Sequence, residues 1–120
     1  KHHATAFGRY KTTPESNHVP YLKPQENGSH YACREVKVAN SADCFTVQSY
    51  TPFSMNVSPY SQEELGSKKH QYDLEKSGST ILCVDYKMSG VGSNSCGPAL
   101  KAQYRLNETE WDWAISLQIK

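Results

Sequence analysis

No stretch of this 120-residue chain stays apolar over the roughly 18–20 residues that a membrane-spanning helix needs. No CxxC pair, no HxH and no HExxH occurs, so the spacings that hold zinc are missing. Neither sign of charge is in excess: thirteen Lys and Arg face twelve Asp and Glu, for a net charge of +1. A chain so balanced has neither the basic footprint of a nucleic-acid binder nor a polybasic pull toward anionic membranes. Internal repeats and low-complexity tracts are also absent. What is left is one folded domain over residues 1–120 with a modest core. The chain starts at Lys1 rather than Met, which suggests a fragment or a processed chain.

Four cysteines stand at 33, 44, 83 and 96. The even count would permit two disulfides in a secreted protein. Cys33, Cys44 and Cys83 lie in strand-like sequence, where a thiol behaves as a small hydrophobe, and free buried thiols are the expectation. Asn27, Asn56 and Asn107 each open a glycosylation triplet, a short pattern that matters only outside the cell.

Alternation dominates what is present. Trp111, Trp113, Ile115, Leu117 and Ile119 alternate with polar or small residues, which places them on one face of a strand. Ala102, Tyr104 and Leu106 alternate before them, and "NETE", residues 107–110, supplies a turn, so an antiparallel hairpin is expected. Phe53, Met55 and Val57 mark another strand, as do Phe45 with Val47 and Val36 with Val38. "TILCVDYKM" is apolar on both faces at its start and reads as a central strand. Thr51-Pro52 suggests a bend or a switch of sheet. One short helix is expected after Ser61, an N-cap followed three residues later by Glu64, with Gly66 ending it early. Residues 1–24, with three prolines, read as an extended arm or loop, and residues 25–120 as the strands of a sandwich. The fold class is all-β, mostly antiparallel, a sandwich in whole or in part.

Chemistry is sparse. "MSGVGSNSCGPAL", residues 88–100, carries three glycines, a proline and a cysteine between strand-like runs. It lacks the Lys-Ser/Thr ending of a phosphate loop and leads into alternation rather than a helix. Cys96 has no histidine near it in sequence, and His30 or His70 could approach it only through the fold. An ordered turn with left-handed glycines is the plainer reading, with a ligand-lining loop beside it. In "PQENG", residues 24–28, Glu26 has no carboxylate partner at a defined spacing, and Asn27-Gly28 is a turn pair. Trp111 and Trp113 could stack on a sugar, but their strand pattern favours core packing. Residue by residue, the chain yields a β domain with one or two structured loops and no reaction.

Four segments carry more: "KHHATAFGRYKTT", "YLKPQENGSHYAC", "FSMNVSPYSQEEL" with His70 beyond it, and "GVGSNSCGPAL". In this order and at similar spacing they resemble the C-terminal portion of family 2 β-galactosidases, over essentially the whole chain. The resemblance implies the end of the last β-sandwich domain, of the galactose-mutarotase-like supersandwich type. The parent would be a cytoplasmic, retaining hydrolase of terminal β-D-galactosides such as lactose, with both catalytic glutamates in another domain. The chain would then contribute no catalytic residue and be inactive alone. It would carry no cofactor, the family's Mg and Na sites lying in other domains. Its partners would be the remaining domains of the parent and the galactoside, with neither nucleic acid nor membrane. The loop around residues 91–98 would reach the mouth of the active site, with Asn94, Ser95, Cys96 and Gly97 as its substrate contacts. Cys96 stands where some members place a tryptophan under the leaving sugar, and a thiol cannot stack as an indole does. The implied role is to complete the active-site wall and stabilise the assembly. A stand-alone carbohydrate-binding or interaction module is the alternative, and the tail of a small subunit in a two-chain enzyme is a third reading. A severed sandwich would expose strand edges, so self-association is expected.

Overall fold

The computed structural model describes residues 7–20, 28–87 and 98–120. Among them four strands form one sheet: β1 (His30–Ala39), β2 (Cys44–Ser58), β3 (Ile81–Asp85) and β4 (Ser116–Ile119). The order is β1-β2-β3, and β4 also pairs with β2. The fold is the expected all-β, mostly antiparallel, sandwich-like class. Two short α-helices are described, α1 (Pro14–Asn17) and α2 (Gln62–Ser67), where one was expected.

The link from β1 to β2 is four residues long, which only an antiparallel pair can use. Asn40 builds it: its side-chain Oδ1 accepts from the backbone N–H of Ala42 and of Asp43, both at 2.7 Å. That Asx turn replaces backbone bonding where the chain reverses. Across the resulting hairpin the Gln48 amide donates to the Glu35 carboxylate. β4 runs antiparallel to the start of β2, with Phe45 opposite Ile119 and Val47 opposite Leu117. Cys44 and Lys120 close that ladder by exchanging both backbone hydrogen bonds, at 2.7 and 2.9 Å.

Several expectations need correction. Residues 102–106 are not a strand: Ala102–Tyr104 form a 3₁₀ turn, and regular pairing resumes only at Ser116. The partner of β4 is β2, so the expected hairpin across "NETE" does not form. Three alternating residues are too few to fix a strand against local turn bonding, here Tyr104 N–H to Lys101 O at 2.9 Å. The C-terminal stripe is also no core. Trp111, Ile115, Leu117 and Ile119 are exposed, and only Trp113 is half-buried. The central strand is β2 rather than β3, since β3 neighbours β2 alone in the order of the described strands. Nor does Pro52 interrupt β2, which runs unbroken through it. Pro52 is exposed. Within the expected extended arm, Pro14–Asn17 make one helical turn. Its cap is the Thr13 hydroxyl, which accepts from Ser16 N–H at 3.1 Å.

By contact the chain divides into two compact units, Lys1–His30 with Met55–Val84, and Tyr31–Ser54 with Asp85–Lys120. In the first, Met55, Val57 and Leu65 are buried. α2 begins as the sequence predicts, the Ser61 hydroxyl accepting from Glu64 N–H at 3.1 Å. The capping box is incomplete, because Glu64 Oε1 accepts from Glu75 N–H at 2.8 Å and pairs with Lys68 at 3.4 Å. In the second unit, Val47 and Phe53 form the fully buried centre.

Candidate functional site

The second unit holds a cleft of ≈ 340 Å³. Its floor is Pro52, Phe53 and Ser54 of β2 with Ala32 of β1. Its walls are Tyr86 and Lys87, which follow β3, and Gln103, Tyr104, Arg105, Leu106 and Glu108, which follow or belong to the 3₁₀ turn. Ala32 lies in the left-handed region at φ 57°, which its small side chain tolerates better than a branched one would.

Aromatic contacts hold the Tyr86 wall. Trp111 meets the Tyr86 ring edge-on at 5.3 Å between centroids, and Trp113 is tilted against it at 5.7 Å. Lys87 Nζ lies 5.0 Å from the same ring centroid, within cation–π reach. Across the cleft Lys87 pairs with Glu108 at 3.2 Å. The hydrogen bond to Glu108 raises the Lys87 pKa. The Glu108 carboxyl is held below its usual value, first by its own backbone N–H and then by Lys87. Both groups are therefore charged at neutral pH, and Glu108 is unsuited to deliver a proton. Arg105 is fixed by Nε–H donating to Leu100 O at 2.6 Å.

The substrate contacts expected from sequence, Asn94, Ser95, Cys96 and Gly97, lie outside the described residues, and so does Glu26. Gly28 is described, and its φ of +70° is the left-handed turn conformation expected of the Asn27-Gly28 pair. Cys33, Cys44 and Cys83 are half-buried and form no disulfide among the described residues. Burial pushes the Cys33 thiol pKa up, away from thiolate chemistry. His70 is engaged by Asp73 at 3.2 Å and stacks on Tyr72. His30 Nε2 lies 2.6 Å from Asn17 Oδ1. Among the described residues no group of three or more His, Cys, Asp or Glu is placed to hold a metal ion. No described helix is long and apolar enough to cross a membrane.

Comparison with known proteins decides the family. A family model described as the β-galactosidase small chain matches residues 1–119. The chain belongs to that family. A β-galactosidase of Actinobacillus pleuropneumoniae is 57% identical over 111 residues, covering 92% of this chain and 11% of the relative. One from Staphylococcus xylosus is 37% identical over 91% of this chain and 11% of its own length. One from Kluyveromyces lactis is 31% identical over 98% of this chain and 11% of its own length. This small-chain member thus spans about a tenth of the length of these relatives.

The sequence marks none of the residues lining the cleft as a site residue. Alternation puts Tyr104 and Leu106 on a strand, and "NETE" puts Glu108 in a connecting turn. The usable signal is the cluster Tyr104, Arg105 and Glu108: an aromatic ring among opposite charges in a segment too short to alternate reliably.

Proposed function

We propose that this chain is the last, galactose-mutarotase-like sandwich domain of a family 2 β-galactosidase. Its work is to complete the active-site wall and to stabilise an enzyme that hydrolyses terminal β-D-galactosides such as lactose. The observation that carries the reading is an open apolar face. Leu117 and Ile119 stand opposite Val47 and Phe45, so all four side chains share one face of the sheet. Val47 is 0% exposed, whereas Leu117 is 56% and Ile119 78% exposed. A face covered over β2 and bare over β4 is what a domain presents when its neighbour supplies the next layer.

Retaining hydrolysis needs two carboxylates flanking the scissile bond. The carboxylate at the cleft, Glu108, is tied to Lys87, so this chain is read as non-catalytic and the acid/base and nucleophile are placed on other domains of the parent. Its own contribution is the loop bearing Asn94, Ser95, Cys96 and Gly97, read as substrate contacts at the rim of the site. The parent is read as a cytoplasmic enzyme, in keeping with cysteines set in strands, where a thiol packs as a small hydrophobe.

A segment swap tests this reading. The A. pleuropneumoniae β-galactosidase is cut before the segment matching this chain, then rebuilt with residues 1–120 in that place. The truncated enzyme should be inactive on a chromogenic β-galactoside and the rebuilt one active. Equal activity of the truncated enzyme would sink the wall role.

A further inference from the structure

We infer that the outer edge of β4 pairs with a second copy of this chain. The two β4 strands run antiparallel about a two-fold axis at Gln118 and join two sheets into one. The self-association expected of exposed strand edges thereby takes one register. The inference goes beyond the wall role and uses none of it.

Hydrogen-bond parity decides which groups face outward. Cys44 and Lys120 exchange both backbone bonds, so Ser116, Gln118 and Lys120 point their N–H and C=O groups at β2. Those of Leu117 and Ile119 point to the opposite edge, where no described strand pairs. β1 lies on the other side of β2, since Asn40 N–H bonds Asp43 O there at 3.0 Å. Sheet edges are normally kept apart by charge, proline or a bulge. β1 carries Arg34, Glu35 and Lys37, whereas Ser116–Ile119 hold no charge and no proline. Antiparallel pairing brings outward-bonding residues together, which puts the two-fold axis on a residue rather than between two. With the axis on Gln118, Leu117 of each copy meets Ile119 of the other, and each such pair exchanges both backbone bonds. Ser116 then meets Lys120, so no like charges are opposed. An axis on Leu117 or Ile119 would leave part of the 116–120 run unpaired. Because Val47 lies opposite Leu117 and Phe45 opposite Ile119, the chosen register also lines up one apolar row: Val47 and Leu117 of one copy, Ile119 and Phe45 of the other. An unrelated peptide would need this same alternation, and a second copy always has it. The edge is short, its area well under the roughly 1,200 Å² of a stable interface, so the pairing is transient.

Sedimentation equilibrium of the 120-residue chain from about 20 µM to about 1 mM should show reversible dimerisation, with a dissociation constant on the order of 0.1 mM. Amide hydrogen exchange locates the contact. The N–H groups of Leu117 and Ile119 should slow severalfold over that range, while those of Ser116 and Gln118, already bonded to β2, should change less. In the dimer the exposed Gln118 faces its own copy at about 4.5 Å between Cα atoms. Gln118→Glu and Gln118→Lys each put like charges there and should weaken dimerisation about fivefold. An equimolar mixture of the two variants should restore it. Both are surface changes, and an unaltered circular dichroism spectrum establishes that they fold. Arg34→Glu, on β1, should have no effect. A monomer throughout the range overturns the proposal. So does a dimer that both Gln118 variants leave intact, that their mixture fails to restore, or that leaves the Leu117 and Ile119 amides unprotected. Pairing through β1 or stacking of the apolar faces would show itself in those ways. The wall role rests on the segment swap, which none of these outcomes touches.

Discussion

Asn17, 3% exposed, joins segments of the first unit that are far apart in sequence. Its amide donates to Gly28 O at 2.9 Å and Val57 O at 3.1 Å, with Asn56 Oδ1 at 3.3 Å. Carbonyls can only accept, so the amide nitrogen must face them, and Oδ1 is left to accept from His30 Nε2. That fixes the His30 tautomer with its proton on Nε2. Asn17→Ala strands these partners and should cost about 2–4 kcal/mol, read from the urea midpoint of unfolding. Gly28 is the complementary constraint. Any Cβ there would lie 2.4 Å from Asn17 O, and φ is +70°. Gly28→Ala should therefore destabilise by at least about 1 kcal/mol in the same assay. His18 adds a pH dependence. Burial lowers its pKa, and its Nε2 is buried without a hydrogen-bond partner among the described residues. The unfolded chain then takes the proton at higher pH than the folded one. Stability is whole above the ordinary histidine value and falls as pH drops through it toward the lower folded value. His18→Phe should flatten the stability profile between about pH 7 and pH 5.

α2 shows what local sequence can determine. A hydroxyl cap and acidic residues in the first turn specify where the helix Gln62–Ser67 begins, and burial of Leu65 together with the Glu75 N–H bond to Glu64 supports it from beyond. Ser61→Ala should cost about 1 kcal/mol, measured by chemical denaturation, because Glu64 N–H then lacks its acceptor. The turn glycine at position 28 was legible for the same reason. The β1–β2 turn was not singled out, although Asn40 carries its signal. β4 was legible as a strand but not as to its partner. Alternation places residues on a face and says nothing about what lies opposite, and the partner of Leu117 is Val47, seventy positions away. The Trp111–Ile119 stripe reads as core because apolar period-two patterns normally are buried. Here the covering layer is missing from the described residues. The loop expected to bear Asn94, Ser95, Cys96 and Gly97 lies outside them.

For the molecule as a whole, the exposed side chains of β4 separate folding from assembly. Leu117 and Ile119 stabilise little where they stand, so Leu117→Ser with Ile119→Ser should change the unfolding free energy of the chain by no more than about 0.5 kcal/mol. If β4 docks against a larger enzyme, the same pair should sharply reduce assembly. The chain belongs to the β-galactosidase small-chain family and spans about a tenth of the length of its relatives, and the proposed reading is that it docks against the rest of such an enzyme. Complementation in trans asks that directly. The A. pleuropneumoniae enzyme lacking the matching segment is mixed with the separate 120-residue chain, and hydrolysis of a chromogenic β-galactoside is followed, with each component alone as a control. Both components alone should be inactive, the mixture active, and the Leu117→Ser, Ile119→Ser chain much poorer at restoring activity. A folded chain that restores nothing, or a chain that hydrolyses the galactoside by itself, would contradict the reading of a non-catalytic wall.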